Sequence, residues 1–439
     1  MGNLNCQVLA LLALFDFPQP IPLQTPNLRR YAPGVLAVIE ASAPGMTIAH
    51  PVTEAFRLPV SPVVAAGVSA VVIFAVALLW PRRREPSENR PETLLASWEG
   101  DLSPFQVVTR VIAVVLLLVA IAAGRLGVED ELDNLAPALI VGAAWPLLVL
   151  ASCFVPIWRW SDPWDVAVRP FDGVDRAGPS DDVRLGALLV LPWVWYLSAY
   201  TDPLAPRSVG AALGLYTIVT LAGALAAGRV RWLSTAEPLG ITLSWLARLP
   251  RGRLVDWDPP RGAEALLGCL AGGVLFGAAR RSELWGELNS VPEAQLLATI
   301  GVLVSCLIVV GLLYGTRWAV TIPESRPLLV RGLVPAVAGI IVAVALDSNR
   351  LFTSVQLLPG LLGDPFGWGW DVLGEGTEGL DPAPLGESGL LWAQLGVLLA
   401  GFVAGAIVIA TRASRRARQP AAALLAMLVA ISVMAIATH

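Results

Sequence analysis

The chain contains no lysine, only two histidines and few charged residues for its length. Charged residues make up 15% and hydrophobic residues 56% of its 439 positions, whereas soluble domains have about 25% and about 45–50%. Because every basic residue is arginine, Schiff-base chemistry on lysine is excluded, and so is the lysine-containing phosphate loop of nucleotide-binding proteins. The net charge of −4 gives no indication of nucleic-acid binding, and no nucleic-acid partner is predicted.

The scarcity of histidine also limits metal chemistry. The two histidines are His50 and the last residue, His439, while catalytic zinc sites take about three protein ligands, often histidines. No histidine-rich metal site can form in this chain alone, so no metal ligands are assigned and any cofactor is unknown. A carboxylate site for Ca²⁺ or Mg²⁺ at Asp347, Asp364 or Asp371 remains an alternative to carboxylates that cap turns and stay solvated.

Long apolar runs dominate the rest of the sequence. Runs of about 20 apolar residues are long enough to cross a bilayer, and the bilayer requires them to be helical. We predict an all-α polytopic membrane protein with about ten transmembrane helices. The predicted spans are 61–80, 106–124, 136–156, 185–201, 208–227, 263–279, 295–315, 328–346, 388–410 and 420–437.

Arginine placement predicts the orientation. Arginines cluster after the first, third, fifth, seventh and ninth spans, and such an excess marks cytoplasmic loops. The inner loops are therefore 157–184 and 228–262, the long outer loop is 347–387, and both termini face outside. Residues 1–60 form a predicted outer segment with an interfacial helix, followed by one transmembrane domain over 61–437.

Three further features are predicted near the membrane surfaces, the first and the third of them on the inner face. The stretch 228–249 reads as a helix lying on the membrane surface, anchored by Trp232 and Trp245. Arg110 and Asp347 lie near span ends, where long side chains can reach the interface. The loop after the third span supplies a set of docking candidates, Trp158, Arg159, Asp162 and Trp164.

The outer loop holds an unusual string, Asp364-Pro365-Phe366-Gly367-Trp368-Gly369-Trp370-Asp371. Its rings are docking candidates (Phe366, Trp368 and Trp370), because aromatic side chains gather at the membrane interface. Asn134 lies on the same predicted face and joins them. Alternatively, two carboxylates beside a poorly hydrated aromatic patch can differ in proton affinity. His50, Asp364 and Asp371 are therefore the catalytic candidates.

Several segments together resemble the fenitrothion hydrolase-like family of polytopic membrane proteins. The Asp364–Asp371 string is the most specific of them. The others, in chain order, are His50 with Leu58-Pro59-Val60, Trp80-Pro81-Arg82, Asn134-Leu135-Ala136-Pro137, Trp158-Arg159 with Asp162-Pro163-Trp164, Tyr216 through Gly228-Arg229 and Trp232, Leu246-Ala247-Arg248-Leu249, and Leu373-Gly374. The resemblance implies a helical membrane scaffold and a membrane-bound hydrolase of organophosphates or other phosphoesters, with an outer-face site.

The chain departs from that family where its relatives carry histidines. The matching positions read Ala336-Val337-Ala338-Gly339-Ile340 and Gly401-Phe402-Val403 and contain no histidine. Residues Thr53–Arg57 stand where the relatives have a Gly-rich stretch and an aspartate. Phosphoester hydrolysis normally needs a metal-activated water, so a non-catalytic or partner-dependent subunit of the plasma membrane is the first hypothesis. Its expected partners are the lipid bilayer and other membrane or exported subunits. A phosphoester hydrolase is the second hypothesis, and a small-solute carrier is the third.

Overall fold

The computed structural model describes residues 61–81, 102–170, 181–249, 254, 257–319, 326–347, 350–370, 372, 384–412 and 415–437. Within these ranges every regular element is helical, and the nearest thing to a strand is an isolated bridge between Asp182 and Arg261. The predicted interfacial helix in 1–60 lies outside the described residues.

Seven helices are long and apolar enough to cross a membrane. They are α1 (Pro62–Leu79), α2 (Pro104–Leu126), α7 (Pro206–Ala227), α12 (Ala294–Ala319), α13 (Arg326–Asp347), α15 (Gly386–Arg412) and α16 (Arg415–Ala437). These helices give the chain the architecture of an all-α, multi-pass membrane protein. Each coincides with one of the ten predicted spans.

The other three predicted spans are helical but shorter than a full crossing. The span over 136–156 becomes a π-helix, Pro137–Ala144, followed by α3 (Trp145–Ser152). Pro146 lacks an N–H at the junction, so the regular hydrogen-bond ladder cannot run through it. The remaining two are α6 (Arg184–Ser198) and α10 (Ala263–Ala279).

Shorter elements complete the chain. They are α4 (Ile157–Ser161), α5 (Pro163–Val168), α8 (Arg229–Thr235), α9 (Pro238–Leu246), α11 (Glu283–Gly286), a 3₁₀ turn at Glu287–Ser290 and α14 (Arg350–Gly363). The sequence did not indicate α14, which lies in the predicted outer loop and brings the chain to Asp364.

Small residues set the closest helix contacts. A Cβ at Gly339 of α13 would lie 3.2 Å from the Cα of Gly401 in α15, and one at Gly124 of α2 would lie 2.9 Å from the Cα of Gly210 in α7. Helix association in a membrane depends on this kind of backbone approach. In α10, a Cβ at Gly272 would lie 2.7 Å from the Cα of Cys306 in α12. The glycine therefore permits close packing of these two helices.

Contacts between helix ends sort the loops into two sets. At one end of the molecule, Arg418 of α16 donates to the carbonyl of Trp80 after α1, at 3.0 Å, and Arg317 of α12 pairs with Glu264 of α10. At the other end, Thr201 donates to Gln295 at 2.8 Å. The first end carries the loops predicted to face inward and the second those predicted to face outward. Which end faces the cytoplasm stays a prediction.

The stretch after α7 differs from the predicted surface helix. Gly228 adopts a left-handed φ of 94° and separates α7 from α8. Every side chain from Leu233 to Pro238 is buried, and Trp245 is fully buried against Trp257 at a ring distance of 5.1 Å. The surface-helix prediction is therefore wrong: two short helices, α8 and α9, form a layer that is covered by protein and packs on α3, α6 and α13.

Candidate functional site

The carboxylate of Asp364 organises the outer loop. It accepts backbone hydrogen bonds from Trp368 at 3.1 Å, Gly369 at 2.5 Å and Trp370 at 2.9 Å. Gly367 and Gly369 have φ values of 68° and 85°, a left-handed backbone that residues with a Cβ rarely adopt. The two glycines thus let the chain wrap around one carboxylate.

Three aromatic rings lie on top of this turn. Phe366 and Trp368 are stacked with centroids 4.4 Å apart, and Trp370 meets Trp368 edge-on at 5.2 Å. The side chains of Trp368 and Trp370 nevertheless remain 51% and 48% exposed. We call these three residues the outer aromatic surface. Its rings are held by one another and by the turn beneath them.

The 364–370 loop is anchored to the loop that follows α2. Val128 donates its backbone N–H to Phe366 at 2.9 Å, and Leu135 donates to Pro365 at 3.1 Å. Asn134 is fully buried between the two loops. Its amide donates to the carbonyls of Ala123 at 2.9 Å and Val128 at 3.0 Å. The structure thus brings Asn134 to the aromatic string.

An acidic rim borders the outer aromatic surface. Glu129, Asp130, Glu131 and Asp133 are all exposed, and a Cβ at Gly367 would lie 2.6 Å from the backbone oxygen of Asp133. Glu129 pairs with Arg207 at 3.1 Å. Exposed aromatic rings and exposed carboxylates therefore lie on two loops that are in contact with each other.

The catalytic set is not assembled among the described residues. His50 and Asp371 lie outside them, as does the side chain of Asp347. The carboxylate of Asp364 already accepts hydrogen bonds from three backbone N–H groups. Burial alone would raise the pKa of Asp364, but hydrogen bonds from the N–H groups of Trp368 and Trp370 outweigh burial and lower it below 3.8. Such a carboxylate is a poor proton donor or base near neutral pH. Within the described residues, no group of three or more metal-ligating side chains occurs.

In the loop after α3, three of the four docking candidates are buried. Trp158, Trp164 and Asp162 are 6%, 4% and 0% exposed. Asp162 caps α5 by accepting the backbone N–H groups of Trp164 and Asp165, both at 3.0 Å. Only Arg159 is exposed and open to a partner.

Sequence reasoning did not predict the buried ion-pair cluster beside these residues. Arg110 of α2 is 1% exposed and does not reach the interface as predicted. It pairs with Asp165 of α5, which also binds Arg229 of α8 and, at 3.2 Å, Arg169. We call this the Asp165 cluster. One available signal was that Arg110 is the sole charge in an otherwise apolar predicted span, because such charges require a partner.

Glu237 is a second buried acid that the sequence did not single out. It caps α9 by accepting the N–H groups of Leu239 at 3.0 Å and Gly240 at 2.5 Å, and it accepts the hydroxyl of Tyr216. Burial, and then the nearby charge of Asp162, raise the pKa of Glu237 to about 8. The capping role accounts for its position.

Comparison of the chain with protein-family models, with curated proteins and with solved structures finds no match.

Proposed function

We propose that this chain is a non-catalytic membrane subunit of the plasma membrane, built on a fenitrothion hydrolase-like scaffold, that docks a second protein on its outer aromatic surface. The observation that carries the proposal is the set of hydrogen bonds that the Asp364 carboxylate accepts. A carboxylate that binds three backbone N–H groups positions Trp368 and Trp370 instead of acting on a substrate.

Preorganisation supports docking over a plain interfacial belt. Ordering a rotamer-rich side chain on binding costs about 0.5–1.5 kcal/mol, and mutual packing has already restricted Phe366, Trp368 and Trp370. Tryptophan is also enriched among the residues that dominate binding energy at protein interfaces. Half-exposed, fixed rings are suited to that role.

The charge of the rim indicates what kind of partner fits. Aromatic faces attract arginine and lysine, and the exposed carboxylates of Glu131 and Asp133 add attraction for the same cations. The proposed partner is therefore a segment of another membrane or exported protein that carries arginine or lysine next to apolar side chains. Electrostatic complementarity of this kind contributes chiefly to the association rate and to specificity.

The test is site-specific photo-crosslinking in intact cells. A photoreactive amino acid at Trp370 is expected to give a discrete protein adduct, while the same probe at Trp318, which is 88% exposed at the opposite end of the molecule, is not. The partner identified in that adduct is then purified and bound to the subunit in nanodiscs. Binding should weaken about tenfold or more in Trp370→Ala, a loss typical of an interface hot spot. Binding should also weaken as the salt concentration rises, and it should weaken in the double variant that combines Glu131→Gln with Asp133→Asn.

Other outcomes would overturn the proposal. Adducts with lipid alone at Trp370 would assign the rings to the membrane interface. Phosphoester hydrolysis by the purified chain that is lost in His50→Ala or Asp371→Asn would instead support the hydrolase hypothesis.

A further inference from the structure

A continuous series of tryptophan and tyrosine rings connects α4 and α5 to α7, and α7 to α6. In order of contact, its members are Trp158, Trp164, Tyr216, Trp193, Tyr196, Tyr200 and Trp195. We call these seven rings the Trp–Tyr column. It begins in α4, at the end of the molecule that carries the loops predicted to face inward. It finishes beside Thr201, at the other end.

The first three rings join α4 and α5 to α7. The ring centroids of Trp158 and Trp164 are 5.7 Å apart, and those of Trp164 and Tyr216 are 5.1 Å apart. The indole N–H of Trp164 donates to the hydroxyl of Thr217 at 3.4 Å, which fixes the ring against α7. Because Trp158 and Trp164 are buried, they are not part of a lipid-facing belt of aromatic residues.

The other four rings continue along α6 to the turn after it. The centroid of Trp193 lies 6.1 Å from that of Tyr216 and 6.1 Å from that of Tyr196. Tyr200 follows, with its centroid 5.5 Å from that of Tyr196 and 5.6 Å from that of Trp195. Aromatic rings at about 4.5–7 Å between centroids are in contact. The column is therefore unbroken from its first ring to its last.

Every ring of the column can be oxidised. Indole and phenol give up one electron far more readily than the phenyl ring of phenylalanine. Three of the five tyrosines of the chain belong to the column, whereas phenylalanine occurs in ring contacts elsewhere, such as that of Phe276 with Trp285. Electron transfer between rings in contact is fast, because electronic coupling falls exponentially with distance. This composition suits electron transfer in a way that packing alone does not require.

The column also provides for the proton that an oxidised tyrosine releases. The hydroxyl of Tyr216 donates to the carboxylate of Glu237, so the ionised form of Glu237 can take the phenolic proton as Tyr216 loses an electron. The hydroxyl of Tyr196 donates to the carbonyl of Pro203 at 3.0 Å, and a carbonyl is a much weaker base. A radical in the column is therefore most stable on Tyr216.

We propose that the Trp–Tyr column is a path for single electrons, through which an oxidant at Tyr200 oxidises Tyr216. The oxidant is a peroxyl radical, which takes the hydroxyl hydrogen atom of Tyr200, becomes a hydroperoxide and leaves a tyrosyl radical. One electron then passes from Tyr216 through Trp193 and Tyr196 to that radical, which takes a proton from water. The phenolic proton of Tyr216 moves to Glu237. The outer aromatic surface takes no part, so either proposal can fail without the other.

The test supplies the oxidising equivalent at one end of the column. A ruthenium photosensitiser is attached to the full chain at Thr201→Cys, an exposed position next to Tyr200. Cys6 and Cys153 are replaced by serine in every variant, and the other two cysteines are buried. Only the new thiol is then open to labelling.

Illumination with a cobalt(III) ammine, which accepts an electron from the excited ruthenium, produces ruthenium(III) beside Tyr200. The experiment is run at pH 9, where Glu237 is ionised because its pKa is about 8. Peptide mass spectrometry measures the yield of oxidised Tyr216 and Trp164, which both lie beyond Trp193 from the sensitiser. Trp164 is 4% exposed, so direct contact with the sensitiser cannot oxidise it.

Trp193→Phe is the decisive variant, because it keeps an aromatic ring at this position but removes the oxidisable one. Oxidation of Tyr216 and Trp164 should fall several-fold, and Trp193→Tyr should recover most of the loss. A packing role would not distinguish these two variants in this way. Trp285→Phe is the matched control, since Trp285 contacts Phe276 outside the column, and it should give the wild-type yield.

Melting temperatures are recorded for all variants, and Tyr196→Phe replaces Trp193→Phe if the latter does not fold. The proposal is overturned if the wild type shows no oxidation of Tyr216 above that of an unilluminated sample. Wild-type yields in the variant that breaks the column would also overturn it. So would a yield in Trp193→Tyr as low as that in Trp193→Phe, because the rings would then serve packing alone.

Discussion

The guanidinium of Arg110 and the carboxylate of Asp165 form an ion pair in which both side chains are buried, 1% and 0% exposed. The pair joins the first turns of α2 to α5, 55 residues later in the chain. Arg229 binds the other oxygen of the same carboxylate and adds α8 to the junction. One aspartate thus holds together three helices from three parts of the sequence.

Replacing this aspartate should be strongly destabilising. Asp165→Asn leaves Arg110 and Arg229 buried without their counter-charge, and breaking a buried pair in this way costs about 3–5 kcal/mol. The measurement is the melting temperature of the purified protein in detergent. Asp182→Asn is the control: it removes an exposed pair with Arg184, for which about 0–1 kcal/mol is expected. Equal melting temperatures for the two variants would contradict a structural role for Asp165.

Glu237 should make stability depend on pH. Its pKa is about 8 in the folded chain against an ordinary 4.5, so the unfolded chain loses this proton at a lower pH than the folded chain. Its contribution is fully present below pH 4.5, declines as pH rises towards 8, and then stays low. Glu237→Gln removes this titration.

The comparison that tests Glu237 is the difference in melting temperature between the wild type and Glu237→Gln across that pH range. The variant lacks one acceptor for the backbone of α9, so a constant offset of about 1–3 kcal/mol is expected. Only the change with pH tests the titration. A difference that does not vary between pH 5 and 8 would contradict it.

Sequence reasoning located the helices because long apolar runs have one stable structure in a bilayer. It did not indicate the change from π-helix to α-helix beside Pro146, since hydropathy does not register a missing N–H. It misread 228–249 for a different reason. An apolar helix with tryptophans has the same composition whether lipid or protein covers it, and only the packing places Trp245 in the interior.

The candidate sites were predictable to unequal degrees. Asn134 and the aromatic string were placed on one face by the alternation of arginine-rich loops, and the structure joins them. Asp364 can accept the three backbone N–H groups only because the chain turns back at Gly367 and Gly369. The residue types alone do not determine that backbone path. The partners of Arg110 depend on contacts distant in sequence, so no local pattern could identify them.

Gly127 should be intolerant of a side chain. A Cβ there would lie 2.6 Å from the carbonyl oxygen of Ala123, 2.7 Å from the amide nitrogen of Asn134 and 2.8 Å from the carbonyl oxygen of Phe366. Gly127→Ala should therefore push the two outer loops apart at a cost of about 1–3 kcal/mol. Gly311→Ala is the control, because nothing lies within 4 Å of a Cβ at that position.

The loop separation can be followed with a fluorescent label at Val372, which is 71% exposed next to the aromatic string. Its anisotropy should fall in Gly127→Ala and stay at the wild-type value in Gly311→Ala. If Gly127→Ala leaves both anisotropy and melting temperature unchanged, the contact between the loops is not needed to order the string.

The order of the outer aromatic surface should depend on the ionised carboxylate of Asp364. The pKa of this group lies below its ordinary value of 3.8 because hydrogen bonds from the N–H groups of Trp368 and Trp370 outweigh its burial. Its contribution is therefore present above pH 3.8 and is lost as pH falls through the lowered pKa. Asp364→Asn keeps one oxygen but places an NH₂ group among N–H donors, so the turn should open at every pH.

Fluorine NMR of fluorotryptophan-labelled protein can resolve this effect, with the two resonances assigned from Trp368→Phe and Trp370→Phe. In the wild type both signals should be dispersed at neutral pH and move towards the solvent-exposed position on acidification. In Asp364→Asn they should start near that position and change little with pH. The fluorine signal of the fully buried Trp245 serves as an internal control for global unfolding. Dispersed signals in Asp364→Asn at neutral pH would show that ring packing alone orders the surface.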